Sequence, residues 1–545
     1  MRIVSVVLFA LAVVSICSKA ETNQPVAPRL QNLGALHVPV TTTVTEAQRF
    51  FDQGLTLLYA FNHHEADRAF REAQRLDPKC AMCFWGEALA VGPNINDSLP
   101  DDEREMKAYQ AIQTAKKIGG GDQKERALIG ALSRRHPSSK PADGEGRNKA
   151  YAEAMADVYQ RFPDDPDVGV LYAASLMNTT PWDYWADGDT LKPEVAALTR
   201  ALTKVIRDHP EHPGAHHYYI HAVEASDDPE LAVPSADRLG SLVPVAGHLV
   251  HMPSHIYIRV GRYRDASIAN IKASKADEDY ITQCRAQGMY PSAYYPHNVH
   301  FLWAALTMEG RSAEAIEAAH KTSTRHDDHH FEDPTFAFPH LLGTVPLFAY
   351  TRFGKWQEVL SEPKPRADRP FRVAIWHFAR GMAFRSNGDI EKAEAELAEL
   401  SRFRDDPKLA ELMIFGNNSL QDMTLIAVSI LGGEVAAMKG DVAGATELLR
   451  QAAQVEDGLI YSEPRDWPQP ARHSLGAVLL EHGKPAEAEQ VYLEDLQIHR
   501  ENGWALYGLW RSLLDQGKES EAAAARRRFE AAWGGADFTL DSSRL

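Results

Sequence analysis

The chain has 545 residues, a formal net charge of -17, 44% hydrophobic residues and 24% charged ones. That length admits several compact domains or one long repeat array, and the composition excludes a disordered or wholly membrane-integral protein. The acidic surplus argues against nucleic acid and anionic membrane surfaces as partners.

The chain opens with Met1-Arg2, an apolar run from Ile3 to Ile16, and then Cys17-Ser18-Lys19-Ala20. This is the pattern of a secretory signal peptide (residues 1–20) cleaved after Ala20. The run is shorter than the ~20 residues of a membrane span. A lipid on Cys17 is the rival reading, although the bulky Ile16 before it resembles a poor lipoprotein signal. The expected mature protein is exported, periplasmic or extracellular, and no later segment is expected to span a bilayer. Cleavage leaves Cys80, Cys83 and Cys284, too few for a disulfide scaffold. Residues 21–45 contain Pro and Asn without a period and read as a tether.

From Glu46 the pattern turns helical and rich in small residues. Gly54, Ala66, Phe70, Ala73 and Pro78 fall in a spacing that recurs. Ala393 and Leu397 follow Gly381; Ala445, Leu449 and Ala452 follow Gly433; Ala488 and Tyr492 follow Gly476. Each Ala stands twelve residues after its glycine. The pattern resembles the tetratricopeptide repeat (TPR), in which two antiparallel helices approach where side chains are small and each pair buries its other face on the next. The resemblance is clear at 47–92, 247–275, 375–400, 429–453 and 472–533. It is fair at 214–244 and 297–320. It implies an all-α, TPR-like superhelical solenoid, with an N-terminal array over 46–345, a C-terminal array over 346–533 and a tail at 534–545. Insertions without the period interrupt it at 92–102, 135–146, 181–192, 281–296, 322–339, 403–420 and 458–470. Loops that long in a helical array are often functional.

Cys80-Ala81-Met82-Cys83 opens a helix after Pro78. A static disulfide, a redox pair and a metal-transfer pair all fit, and Met82 beside them suits copper. Haem attachment is excluded because Phe84 stands where the histidine would follow. His63-His64-Glu65 reads as a capping and surface feature. His326, His329 and His330, with Asp327, Asp328, Glu332 and Asp333, form an acidic His-rich insertion, either a metal or lid loop or a solvated one.

The densest chemistry lies between Gly214 and Tyr263, in GAHHYYIHAVE and GHLVHMPSHIYIRVGRY. Histidines four apart share a helix face, and that spacing occurs twice, as His217 with His221 and as His251 with His255. Fifteen residues before the Ala of the second helix stand His217, His251, His300 and His473. In TPR proteins these places look inward. The resemblance therefore implies that His217, His221, His248, His251, His255, His297 and His300 share the concave groove. Pro253 complicates the second pair: either it kinks a helix and frees the Leu249 carbonyl, or a helix begins there and leaves His248 and His251 on the incoming loop.

Imidazoles gathered in this way suit Zn, Cu or Fe. The expected metal ligands are His217, His221, His251 and His255, with His248 and His297 as further ligands. Glu224 and Tyr257 are candidates for orienting or proton-transfer roles, and His300 for a neighbouring ligand or base. The first reading is an exported metalloprotein or metalloenzyme with a transition metal on its concave face. The alternative is a binding scaffold without catalysis, whose groove holds a peptide, protein or small molecule.

Overall fold

The glycines that set the repeat spacing mark the closest approaches of neighbouring helices. A Cβ at Gly54 would lie 2.8 Å from the Phe70 ring, and one at Gly433 2.6 Å from Leu449. Gly476 faces Tyr492 in the same way, whereas Gly381 faces Leu431 of the next helix pair. In the first three cases the large partner stands sixteen residues on, so the small residue of one helix receives the bulky residue of its mate.

The computed structural model of the chain describes residues 24–98, 100–138, 144–185, 190–284, 290–323 and 337–545. Successive helices pack as neighbours along the chain. Thr45–Tyr59 lies on His63–Leu76, Leu420–Met438 on Val442–Asp457, Ala471–Glu481 on Pro485–Ile498 and Gly503–Asp515 on Glu519–Ala532. Among the described residues the only strands are Met413–Ile414 and Asn418–Ser419, paired antiparallel in one insertion. The protein is an all-α, TPR-like solenoid.

Three features of the packing were not read from the sequence. Residues 24–44 are no loose tether. Ala27, Leu30 and Val38 are buried, and the backbone amides of Val26, Leu30 and Val38 donate to Glu72, Gln53 and Asp52. The tail is anchored too, because buried Arg544 forms ion pairs with Glu434 and Glu481. The buried residues form one apolar core from Ala27 to Tyr290 and a second from Tyr295 to Leu540, with a smaller one under the histidine helices.

One helix, Leu420–Met438, is long and apolar enough to cross a membrane by length and composition, which the sequence reading did not anticipate. Its most apolar stretch is 67% buried within the solenoid. Glu434 on that helix is fully buried and ion-paired to Arg385 and Arg544. A buried, paired carboxylate of this kind belongs to a protein core.

Candidate metal centre

Pro253 decides the local geometry. Helix Gly247–His251 ends, Met252 forms the joint, and helix Pro253–Arg259 begins. The Met252 amide still donates to the His248 carbonyl at 2.9 Å, so His248 and His251 stand on a short helix, not on a loop. The joint leaves the Nε2 atoms of His251 and His255 only 2.9 Å apart. Helix Pro213–Val223 supplies His217 and His221, and helix Tyr295–Met308 supplies His297.

The imidazoles do not converge on one point. They form two trios, His217 with His221 and His248, and His251 with His255 and His297, each with ligand atoms within 4.8 Å of one another. The trios adjoin, with ring centroids 5.9 Å apart for His248 to His251 and for His221 to His255. A phenylalanine covers each. Phe61 lies 4.5 Å from His217, 5.7 Å from His221 and 5.3 Å from His248, centroid to centroid. Phe301 lies 4.7, 4.6 and 4.9 Å from His251, His255 and His297.

Hydrogen bonds fix which nitrogen faces inward. His217 Nδ1 is 2.6 Å from the Tyr59 carbonyl, His251 Nδ1 is 2.6 Å from Asn270 Oδ1, and His221 Nδ1 is 3.0 Å from Glu224 Oε1. Each acceptor holds the proton on Nδ1 and leaves the Nε2 lone pair pointing into the trio. His217 Nε2 and His248 Nε2 are 3.1 Å apart, and His221 Nε2 is buried without a hydrogen-bond partner. Imidazole nitrogens on a tetrahedral ion at about 2.0–2.1 Å stand roughly 3.3 Å from one another, so the trios fit a metal with small adjustments.

A third grouping shares His255. Its Nδ1 is 2.8 Å from Glu224 Oε2 and 2.7 Å from Glu463 Oε2, yet none of these three buried atoms makes a well-aligned hydrogen bond. Burial alone would depress His255, but the Glu224 and Glu463 carboxylates overcome it and hold its pKa above the usual range. Burial likewise works to raise Glu224, and the charges of His255 and His221 pull it below the carboxylate range instead. Glu463 is raised by burial, against the pull of His255. Burial pushes His217, His248, His251 and His297 well below the usual imidazole value, which keeps them in the neutral form that binds metal.

The groove is covered. His217, His221, His248, His251 and His255 are all at most 5% exposed. Three insertions supply the cover: Trp182 sets its edge to His221 at 5.1 Å, Tyr294 meets His248 at 5.0 Å, and Glu463 meets His255. Phe61 and Trp182 both hold positive φ, 57° and 64°. That is a strained backbone for bulky aromatics, and such strain clusters at functional sites.

Other expected residues fall elsewhere. The Tyr257 hydroxyl donates to Asp237 at 2.9 Å and its ring lies under Arg262, so it does not enter either trio. His300 stacks on Trp303 at 5.3 Å and joins neither trio. Glu224 sits between His221 and His255, where it can orient both. His63 is not a surface feature, since it stacks on Phe61 at 5.6 Å. Cys80 and Cys83 are disulfide-bonded and Cys284 is free and buried. The acidic His-rich stretch around His326 lies outside the described residues. Sequence reasoning missed Glu463, Phe61, Phe301 and Asn270. Glu463 lay in a flagged insertion, but nothing in its spacing tied it to the histidines.

No family model and no curated protein matches the chain. Among solved structures it is similar to the human IFIT1 dimer with m7Gppp-AAAA, at 11% identity over 90% of this chain and 91% of that one, TM-score 0.30. It is similar to yeast Tom70 at 12% identity over 88% and 92%, TM-score 0.27. The Cut9–Hcn1 hetero-tetramer of the APC/C matches at 13% over 92% and 76%, TM-score 0.30. All three are TPR proteins. Scores this low carry no argument about a ligand, and the solenoid assignment stands on the helix pairing within the chain.

Proposed function

We propose that this chain is a metalloprotein holding two late first-row transition-metal ions, one in each histidine trio. The observation that carries the reading is the set of inward Nε2 atoms whose Nδ1 partners are fixed by Tyr59, Asn270 and Glu224. Buried histidines in a packed core normally end with both nitrogens answered by carbonyls, carboxylates or amides; here His217 faces His248, and His251 faces His255, nitrogen to nitrogen through Nε2. All-imidazole seats suit Cu or Zn, whereas non-haem iron sites commonly include a carboxylate ligand. Such ions act as Lewis acids or, for Cu, as electron carriers. Glu224 and Glu463 would then hold the His255 Nδ1 proton and tune its basicity. A peptide-binding groove needs exposed side chains, and these imidazoles are buried, which favours metal over the scaffold reading. Export, with a mature chain beginning at Glu21, belongs to the same proposal and is supported by the Met1–Ala20 pattern and by the Cys80–Cys83 bridge.

The test is metal analysis of protein purified without a histidine tag. Two ions per chain are expected, falling to one when His217 and His221 are both changed to Ala. Protein that carries no metal and takes up neither Cu nor Zn ends the proposal.

A further inference from the structure

The boundary between the two histidine trios is as tight as the trios themselves. His221 and His255 belong to different trios, yet their ring centroids lie 5.9 Å apart, closer than the 6.1 Å between His221 and His248 within one trio. One carboxylate ties that pair together. Glu224 meets His221 Nδ1 at 3.0 Å through Oε1 and His255 Nδ1 at 2.8 Å through Oε2. A single side chain therefore sets the orientation of one ring from each trio. Two-metal sites hold their ions about 3.5–4 Å apart, a separation at which one small ligand touches both. Seats that share such a boundary admit that spacing.

The cover limits what the pair can take. Five of the six imidazoles are at most 5% exposed, and only His297 is half-buried. Phe61, Trp182, Tyr294 and Phe301 pack on the rings. A metal pair that hydrolyses an ester or a peptide needs an open face for the scissile group, and the aromatic cover closes that face. A diatomic molecule needs no such face. Neither trio includes a carboxylate, which suits copper, and copper changes by one electron per ion.

We propose that the two trios form a single dinuclear copper centre whose ligand is dioxygen, bound between the ions. This rests on the two-ion reading above and adds that the ions act together. In the reduced protein both ions are Cu(I). Each gives up one electron; dioxygen takes both and becomes peroxide between two Cu(II) ions. The step consumes no proton and no further reductant. A single ion supplies only one of the two electrons, so neither trio does this alone.

The experiment loads the full-length protein anaerobically with Cu(I), counts copper by elemental analysis and then admits dioxygen. Wild-type protein with two coppers per chain should take up one dioxygen per pair and develop a peroxide-to-copper charge-transfer absorption. Its oxygenated form should be silent in electron paramagnetic resonance, because the bridging ligand couples the two Cu(II) spins. His217→Ala with His221→Ala, and separately His251→Ala with His255→Ala, should each keep one copper and lose the dioxygen uptake. After chemical oxidation each should show the full signal of one isolated Cu(II). Circular dichroism checks that the helices persist, and either variant that folds decides the point. Two coppers per chain without dioxygen uptake, or with two uncoupled Cu(II) signals after oxygenation, overturn the proposal and leave the two-ion reading standing. Uptake retained by either double variant overturns it as well. Protein that holds zinc but not copper also overturns it, whereas protein that holds neither ends both readings.

Discussion

His217 and His473 occupy equivalent places in their repeats, fifteen residues before the Ala of the second helix, and both are buried. Their surroundings differ. His473 Nε2 lies 3.0 Å from Asp495 and its Nδ1 2.8 Å from the Arg352 guanidinium, so donor and acceptor are both answered. Asp495 also receives His499 and Asn502, closing a complete network. His217 has a carbonyl on one side and another imidazole nitrogen on the other. With its Nδ1 proton on the Tyr59 carbonyl, His217 can only accept through Nε2, and the imidazole facing it, His248, has no partner on its own Nδ1. The same repeat position therefore gives a histidine closed off by a carboxylate and a guanidinium in the C-terminal region and one that opens onto other imidazoles in the N-terminal one. A carboxylate or guanidinium within reach stabilises the first; a metal ion would stabilise the second.

The largest expected effect separates the two outright. Changing His251 and His255 together to Ala should lower the metal content from two ions per chain to one, while His473→Ala should leave it at two. Elemental analysis of the purified variants decides it, and equal metal loss in both would erase the distinction. Next in size is Asp495→Ala, which strands His473, His499 and Asn502. Breaking a buried charged network should cost about 3–5 kcal/mol in urea unfolding without loss of metal. A loss below about 1 kcal/mol would mean the network is not the structural counterpart described here.

A pH series sharpens the role of the 458–470 insertion, which carries Glu463. Asp466 in that insertion accepts from Asn418 and Ser462, and burial lifts its pKa to about 6. Between roughly pH 4 and 6 the folded protein holds a proton that the unfolded chain, with its carboxyl near about 3.9, has released. Stability should therefore fall as pH rises through that window, by up to about 3 kcal/mol, and Asp466→Asn should remove that part of the slope. An identical pH profile in the variant would contradict it. The smallest effects concern the neighbouring pair in the first repeat. His64→Ala, at an exposed position, should change stability by no more than about 0.5 kcal/mol. His63→Ala, which removes the ring stacked on Phe61, should cost about 1 kcal/mol and leave metal bound. Loss of metal in His63→Ala would place that residue in the centre itself.

The helix pairs were legible because their cause is local. Gly54 and Phe70, or Gly476 and Tyr492, are sixteen residues apart, and close helix approach demands a small residue opposite a large one. The histidine face was legible for the same reason, since four-residue spacing aligns side chains on any helix. The packing of residues 24–44 and of the tail was not legible because their partners are remote: Glu72 for Val26, Glu434 for Arg544. Leu420–Met438 was overlooked as a membrane-length helix, and its burial around Glu434 shows why composition alone cannot distinguish a core helix from a span.

By itself, then, the sequence determined an all-α array of paired helices and which histidines share a helix face, because both follow from spacings within one or two turns or one repeat. Only the tertiary structure decided that six imidazoles divide into two trios, that Phe61, Trp182 and Tyr294 close the groove, and that Glu463 reaches His255 from 208 positions along the chain. Those contacts depend on where insertions fold back across the solenoid, and no short-range periodicity encodes that path.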